Sequence, residues 1–72
     1  MEDFKSRLKE ETQELIKKLH KLQDFMGSEK FYKLPRIDKD LLYDQYHAML
    51  TYLQILGKRC ERLEVILDIP IE

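Results

Sequence analysis

Residues 38–67, DKDLLYDQYHAMLTYLQILGKRCERLEVIL, carry the pattern that decides the fold. Leu42, Tyr46, Met49, Leu53, Leu56, Cys60, Leu63 and Leu67 step alternately by four and three, the spacing that lines one face of an α-helix. Kept up for more than three heptads, this seam predicts about 45 Å of helix. A second stripe, Leu41, Ala48, Tyr52, Ile55 and Ile66, lies about 100° around from the first, so the apolar arc is wider than one partner helix covers. Gly57 interrupts the helix at a cost of roughly 1 kcal/mol relative to Ala, which points to a close crossing or a bend. Asp38 reads as the N-cap, Asp40 favours the positive first turn, and Ile37 and Leu42 occupy the staple positions.

Upstream, Leu15, Leu19, Leu22 and Met26 form a matching stripe, with Thr12 at a position where an apolar residue is expected. Good helix formers fill the outer face, and Glu14 precedes Lys17 and Lys18 in the orientation that supports a helix. Gly27 is expected in the left-handed conformation that closes such helices. Between the two helices, Ser28 can cap a short turn through Lys33, which Pro35 stops, and Phe31 and Leu34 read as its anchors. The expected layout is one all-α domain over 1–72: a helix over about 3–26, a hinge over 27–37, a helix over about 38–67 and a tail over 68–72. Its fold class is an antiparallel two-helix hairpin. The tail isoleucines, Ile69 and Ile71, would dock on the helix ends. A core this small rarely sustains a fold alone, so the second stripe predicts a homo-oligomeric helical bundle; the alternative is a monomer in which tail and hinge cover that stripe.

Composition narrows the function. The 72 residues are 43% hydrophobic and 38% charged, with net charge −1, which excludes a disordered tail, a polycation for duplex DNA and a membrane span. The amino terminus lacks a secretory stretch, and a lone Cys60 excludes an internal disulfide, so the expected location is the cytoplasm of a cell. His20 lies among Lys17, Lys18 and Lys21, a poor setting for a metal. Asp44 and His47 share a helical face and read as a local hydrogen-bonded pair rather than half of a dinuclear site. Cys60 sits on the apolar seam with no base near it in sequence. No phosphate loop or nucleophile elbow occurs, so neither catalysis nor a cofactor is expected.

The hinge is the more specific signal. Lys17, Lys18, Lys21, Lys30, Lys33 and Arg36 face only Asp24 and Glu29 over residues 17–36, and Phe31 and Tyr32 lie among them. Cations for phosphate and an aromatic face for a base are what nucleotide binding requires. Lys30, Lys33, Arg36, Phe31 and Tyr32 are therefore the candidate phosphate- or nucleotide-binding residues, set against a plainly solvated charged surface. Leu41, Tyr43, Tyr46, Ala48, Tyr52 and Ile55 are the candidate interface residues.

Ser28-Glu29-Lys30-Phe31 and Leu41-Leu42-x-x-Gln45-x-x-Ala48-Met49-x-x-Tyr52 stand within a stretch, Leu22 to Arg59, that resembles a group of small helical-hairpin proteins of tailed bacteriophages, including crAss-like phages. Pro35 in the hinge and Tyr46 in the second helix are departures from that pattern. The resemblance implies a phage origin and a hairpin, with no activity. It favours an accessory protein of the infected bacterial cytoplasm that binds as a homo-oligomer and counters a host defence function through a host protein. The alternatives are a nucleotide-binding sponge built on the basic hinge, or a structural component of the virion.

The seam makes a direct prediction. Leu53→Asp places an unpaired charge at its centre, a loss of about 3–5 kcal/mol, comparable to the whole stability of so small a core. Circular dichroism should show an unfolded chain at room temperature.

Overall fold

The computed structural model describes residues 3–69, and Pro70, Ile71 and Glu72 lie outside the described residues. Among the described residues the protein is all-helical, with α1 at Asp3–Met26, α2 at Glu29–Tyr32 and α3 at Arg36–Arg62. α1 and α3 lie side by side in opposite directions. Gln23 near the end of α1 meets Tyr46 in the first half of α3, and Thr12 meets Cys60 near its end. The result is elongated, 48 × 19 × 17 Å, as one layer of two helices must be.

The core is the seam between them. Leu8, Leu15, Ile16 and Leu19 of α1 bury against Leu53, Leu56 and Cys60 of α3, and Tyr46, Met49, Leu50 and Leu63 pack around the edge. Thr12, the polar interruption of the α1 stripe, is fully buried. Its hydroxyl donates to the Leu8 carbonyl at 2.7 Å and lies 3.6 Å from the Cys60 Sγ. The hydroxyl is satisfied by its own helix, so the seam accepts it without an orphaned polar atom.

The chain leaves α1 differently from the sequence expectation. Gly27 does not take a positive φ. Its N–H is shared between the Gln23 and Asp24 carbonyls at 3.2 Å each, and Ser28 then donates from its N–H to the Phe25 carbonyl. The right-handed path continues because Ser28 starts α2 at once, its Oγ accepting from the Phe31 N–H and donating to the Phe25 carbonyl at 2.6 Å. Phe31 plugs this corner and is 1% exposed.

α3 begins two residues earlier than Asp38. Pro35, with φ −59° and ψ 152°, is the N-cap, and its carbonyl accepts from the N–H groups of Asp38 and Lys39. A proline has no N–H to lose at a helix start, so the backbone can turn helical immediately after it. Asp38 therefore sits inside the positive first turn rather than capping it. Ile37 falls on the outer face, 63% exposed, so the expected staple with Leu42 does not form.

α3 also ends earlier, at Arg62 rather than residue 67. Glu64 adopts φ 55°. Its N–H bonds the Glu61 carbonyl, and the Val65 N–H bonds the Cys60 carbonyl at 2.8 Å, a Schellman closure with glutamate where glycine is usual. The chain then turns back, and Val65, Leu67 and Ile69 pack on the core while Ile66 stays 78% exposed. Lys9 pairs with Asp68 at 3.4 Å, and the Asp68 N–H donates to Gln13 at 2.7 Å. These contacts dock the tail along α1. Gly57 causes no break, since α3 is continuous through it.

Two opposite glycine exchanges follow. A Cβ on Gly27 would meet only ordinary contacts, 3.7 Å to the Asp24 carbonyl oxygen being the shortest. Gly27→Ala should therefore stabilise by about 0.4–1 kcal/mol. Glu64→Gly relieves the left-handed penalty and should gain a similar amount. Thermal melts should each rise by roughly 2–8 °C; a fall for Gly27→Ala would mean that the glycine is conformationally required.

Candidate binding surfaces

Two surfaces emerge, one at the α1–α2–α3 corner and one along α3. At the corner, the buried ring of Phe31 meets the edges of Phe25 at 6.1 Å, Tyr32 at 5.7 Å and Tyr43 at 5.6 Å, all close to perpendicular. Such T-shaped contacts satisfy the ring quadrupoles and hold the corner rigid. They also take Phe31 out of reach of any ligand. Of the two hinge aromatics expected to offer a stacking face, only Tyr32 is exposed, at 64%.

The basic side chains of the hinge are open to solvent. Lys30, Lys33 and Arg36 are exposed. The Lys39 ammonium stands 5.9 Å from the Tyr32 ring centroid, a cation–π approach that only the folded corner creates. Lys39 was not singled out in the sequence; the hint was its position in the first turns of a helix that starts at Arg36. One carboxylate competes: Asp40 lies 3.6 Å from the Arg36 guanidinium one turn along α3. That exposed pair is weak, so Arg36 can be drawn to a phosphate at little cost.

Along α3 the interface candidates separate. Leu41, Tyr52 and Ile55 are 59%, 43% and 51% exposed, and Ala48 between them is exposed as well. Tyr46 is instead half-buried in the protein's own core, its hydroxyl accepting from the Gln23 side chain at 3.0 Å. The reason is its place on the main seam, which faces α1. Tyr43, 47% exposed, leans on Phe31 and belongs to the corner. Ile66, grouped with this stripe by helical spacing, is off α3 altogether.

The residues weighed for chemistry stay apart. His20 is exposed on α1, and His47 lies with its ring 5.6 Å from that of Tyr46. Cys60 is a free, buried thiol. Among the described residues no three His, Cys, Asp or Glu side chains gather as a metal cluster would require.

Tyr52 also ties α3 to α1, its hydroxyl donating to the Glu11 carboxylate. That hydrogen bond, with smaller help from desolvation and the Glu11 charge, raises the phenol above its ordinary value of 10.0. A raised folded-state pKa contributes stability below the unfolded value and loses it as pH climbs through the folded one. Melting temperature should therefore fall above about pH 10, and Tyr52→Phe should lessen that fall; identical alkaline profiles for the two proteins would show that the bond contributes nothing.

Comparison with known proteins now places the chain. The described helices contain none long and apolar enough to cross a membrane. No solved structure matches it. An uncharacterised 7.5 kDa protein from the denB–rIIB intergenic region of Enterobacteria phage T4 is 34% identical over 56 residues, 78% of this chain and 88% of that protein. The profile of the Sequestin family matches residues 2–62, which takes in all three helices and stops where α3 stops. With the T4 likeness marking it as a small phage-type protein, the profile match over most of its length makes this chain a member of the Sequestin family.

Proposed function

We propose that the protein is a phage accessory factor that acts by stoichiometric binding, without catalysis, in the cytoplasm of the infected bacterium. As a homo-oligomer of helical hairpins it sequesters a small phosphate-bearing signal, a nucleotide, and so blunts a host defence response. The observation that carries this reading is Tyr32: a large ring left 64% exposed, braced edge-on by buried Phe31, with Lys39 beside it. An exposed aromatic face on a segment that also carries exposed Lys30, Lys33 and Arg36 offers a base its stacking surface and phosphate its cations. The family's printed name, that of a sequestering protein, agrees with it.

A host protein as the target is the second reading. It is favoured by the apolar stripe of Leu41, Tyr52 and Ile55, since exposed aliphatic and aromatic side chains in a row are what a protein partner buries.

Thermal shift and native mass spectrometry with ADP and cyclic dinucleotides separate the two. The nucleotide reading expects a shift and a retained ligand. It expects Tyr32→Ala to weaken binding by the roughly 1–3 kcal/mol of one base stack, about 5- to 150-fold. Lys30→Glu with Lys33→Glu should abolish binding while helical content stays unchanged, because both side chains are exposed. No shift with any of these nucleotides, together with stable capture of one host protein through the α3 stripe, would replace this reading by the second.

A further inference from the structure

The stripe on α3 has a spacing that selects its own partner. Leu41, Ala48 and Ile55 stand seven residues apart, with Ile37 and Tyr52 beside them, roughly 120° around α3 from the Leu53 face that meets α1. Nothing of the described chain covers it. The tail is held instead on α1 through Lys9 and Gln13. We infer that a second copy of this chain covers the stripe, the two α3 helices pairing antiparallel about a two-fold axis at Ala48.

Three observations lead to that arrangement. The first is register. Pairing Leu41 with Ile55 of the second copy matches Ala48 with itself and repeats the Leu–Ile contact on the other side of the axis, so all three heptad positions are used at once. The second is size. Two large residues flank one alanine, so at the axis the helices can approach closely while the ends are filled by leucine and isoleucine. The third is charge. Asp38, Asp40 and Asp44 outnumber Arg36 and Lys39 in the first third of α3, and Lys58, Arg59 and Arg62 outnumber Glu61 in the last. Antiparallel pairing in this register brings Asp38 level with Lys58 of the second copy and sets Asp40 within one helical turn of it, whereas parallel pairing sets like ends side by side. The stripe lies to the side of the Leu53 face, with Tyr52 and its Glu11 bond at the border, so pairing through Leu41, Ala48 and Ile55 leaves the core seam undisturbed.

This inference rests on the homo-oligomer part of the proposed function, and its test uses no nucleotide, so either can fail alone. In a Cys60→Ala background, Ala48→Cys should form a disulfide-linked dimer on mild oxidation. Leu41→Cys and Ile55→Cys should not cross-link singly but should do so when the two proteins are mixed. Ala48→Glu, which puts two like charges at the axis of an exposed position, should halve the mass seen by sedimentation with helical content retained. Leu41→Cys cross-linking to itself as readily as Ala48→Cys would overturn the antiparallel arrangement. A monomeric mass for the unmodified protein at about 100 μM, far above the dissociation constant of a specific dimer, would overturn the interface; that measurement stands even if the cysteine variants fold poorly.

Discussion

A layer of two helices has a single internal surface, and every other feature of this protein is arranged around that limit. Leu8, Leu15, Ile16 and Leu19 close on Leu53, Leu56 and Cys60, and among the described residues no third layer adds to them. The seam tolerates one polar residue, Thr12, only because its hydroxyl bonds the carbonyl one turn back on the same helix. Both ends of the layer need plugs. Phe31 fills one, wedged among Phe25, Tyr32 and Tyr43. At the other, Val65, Leu67 and Ile69 fold back to extend the apolar contact. Burial at roughly 25 cal/mol per Å² against the cost of ordering each residue leaves such a small domain near balance, so these plugs matter out of proportion to their size.

The same limit explains why the outside of the molecule is informative. A two-helix layer cannot hide the second apolar stripe of α3, and it cannot enclose a ligand. The surfaces open to a ligand or partner therefore lie outside: the corner, where exposed Tyr32 has Lys39 beside it, and the stripe along α3. The two surfaces sit on different sides of α3, Tyr43 and Phe31 marking the corner side and Leu41, Ala48 and Ile55 the other. The proposed self-association and the proposed ligand capture would therefore use separate surfaces. The T4 relative, similar over most of both chains, and the family match across all three helices give this compact design a phage setting.

Much of the architecture was legible along the chain. The four-and-three spacing in both halves located α1 and α3, and Ser28 and Pro35 bracketed α2. Boundaries were less so. The Leu63–Leu67 step continued the helical rhythm across a point where α3 had already ended, because residues 65, 67 and 69 turn inward by the two-residue period of extended chain. Nothing local announced that change, since Glu64 holds the left-handed position usually given to glycine. At the other boundary the opposite error arose: Gly27 advertised a left-handed stop that α2, starting at the next residue, made unnecessary.

For the candidate sites, sequence alone determined which side chains were present and roughly which helix face they shared, because periodicity is a property of neighbours along one strand of backbone. It could place cations and aromatics in the hinge and an apolar stripe on the second helix. Only the tertiary structure decided which of them point outward. Phe31 and Tyr32 are adjacent in the chain, yet one is buried and the other exposed. Lys39 reaches Tyr32, and Tyr46 turns into the core, for the same reason. Exposure depends on what the rest of the chain brings alongside, and contacts between residues far apart in sequence, such as Tyr52 with Glu11, have no signature until the helices pair.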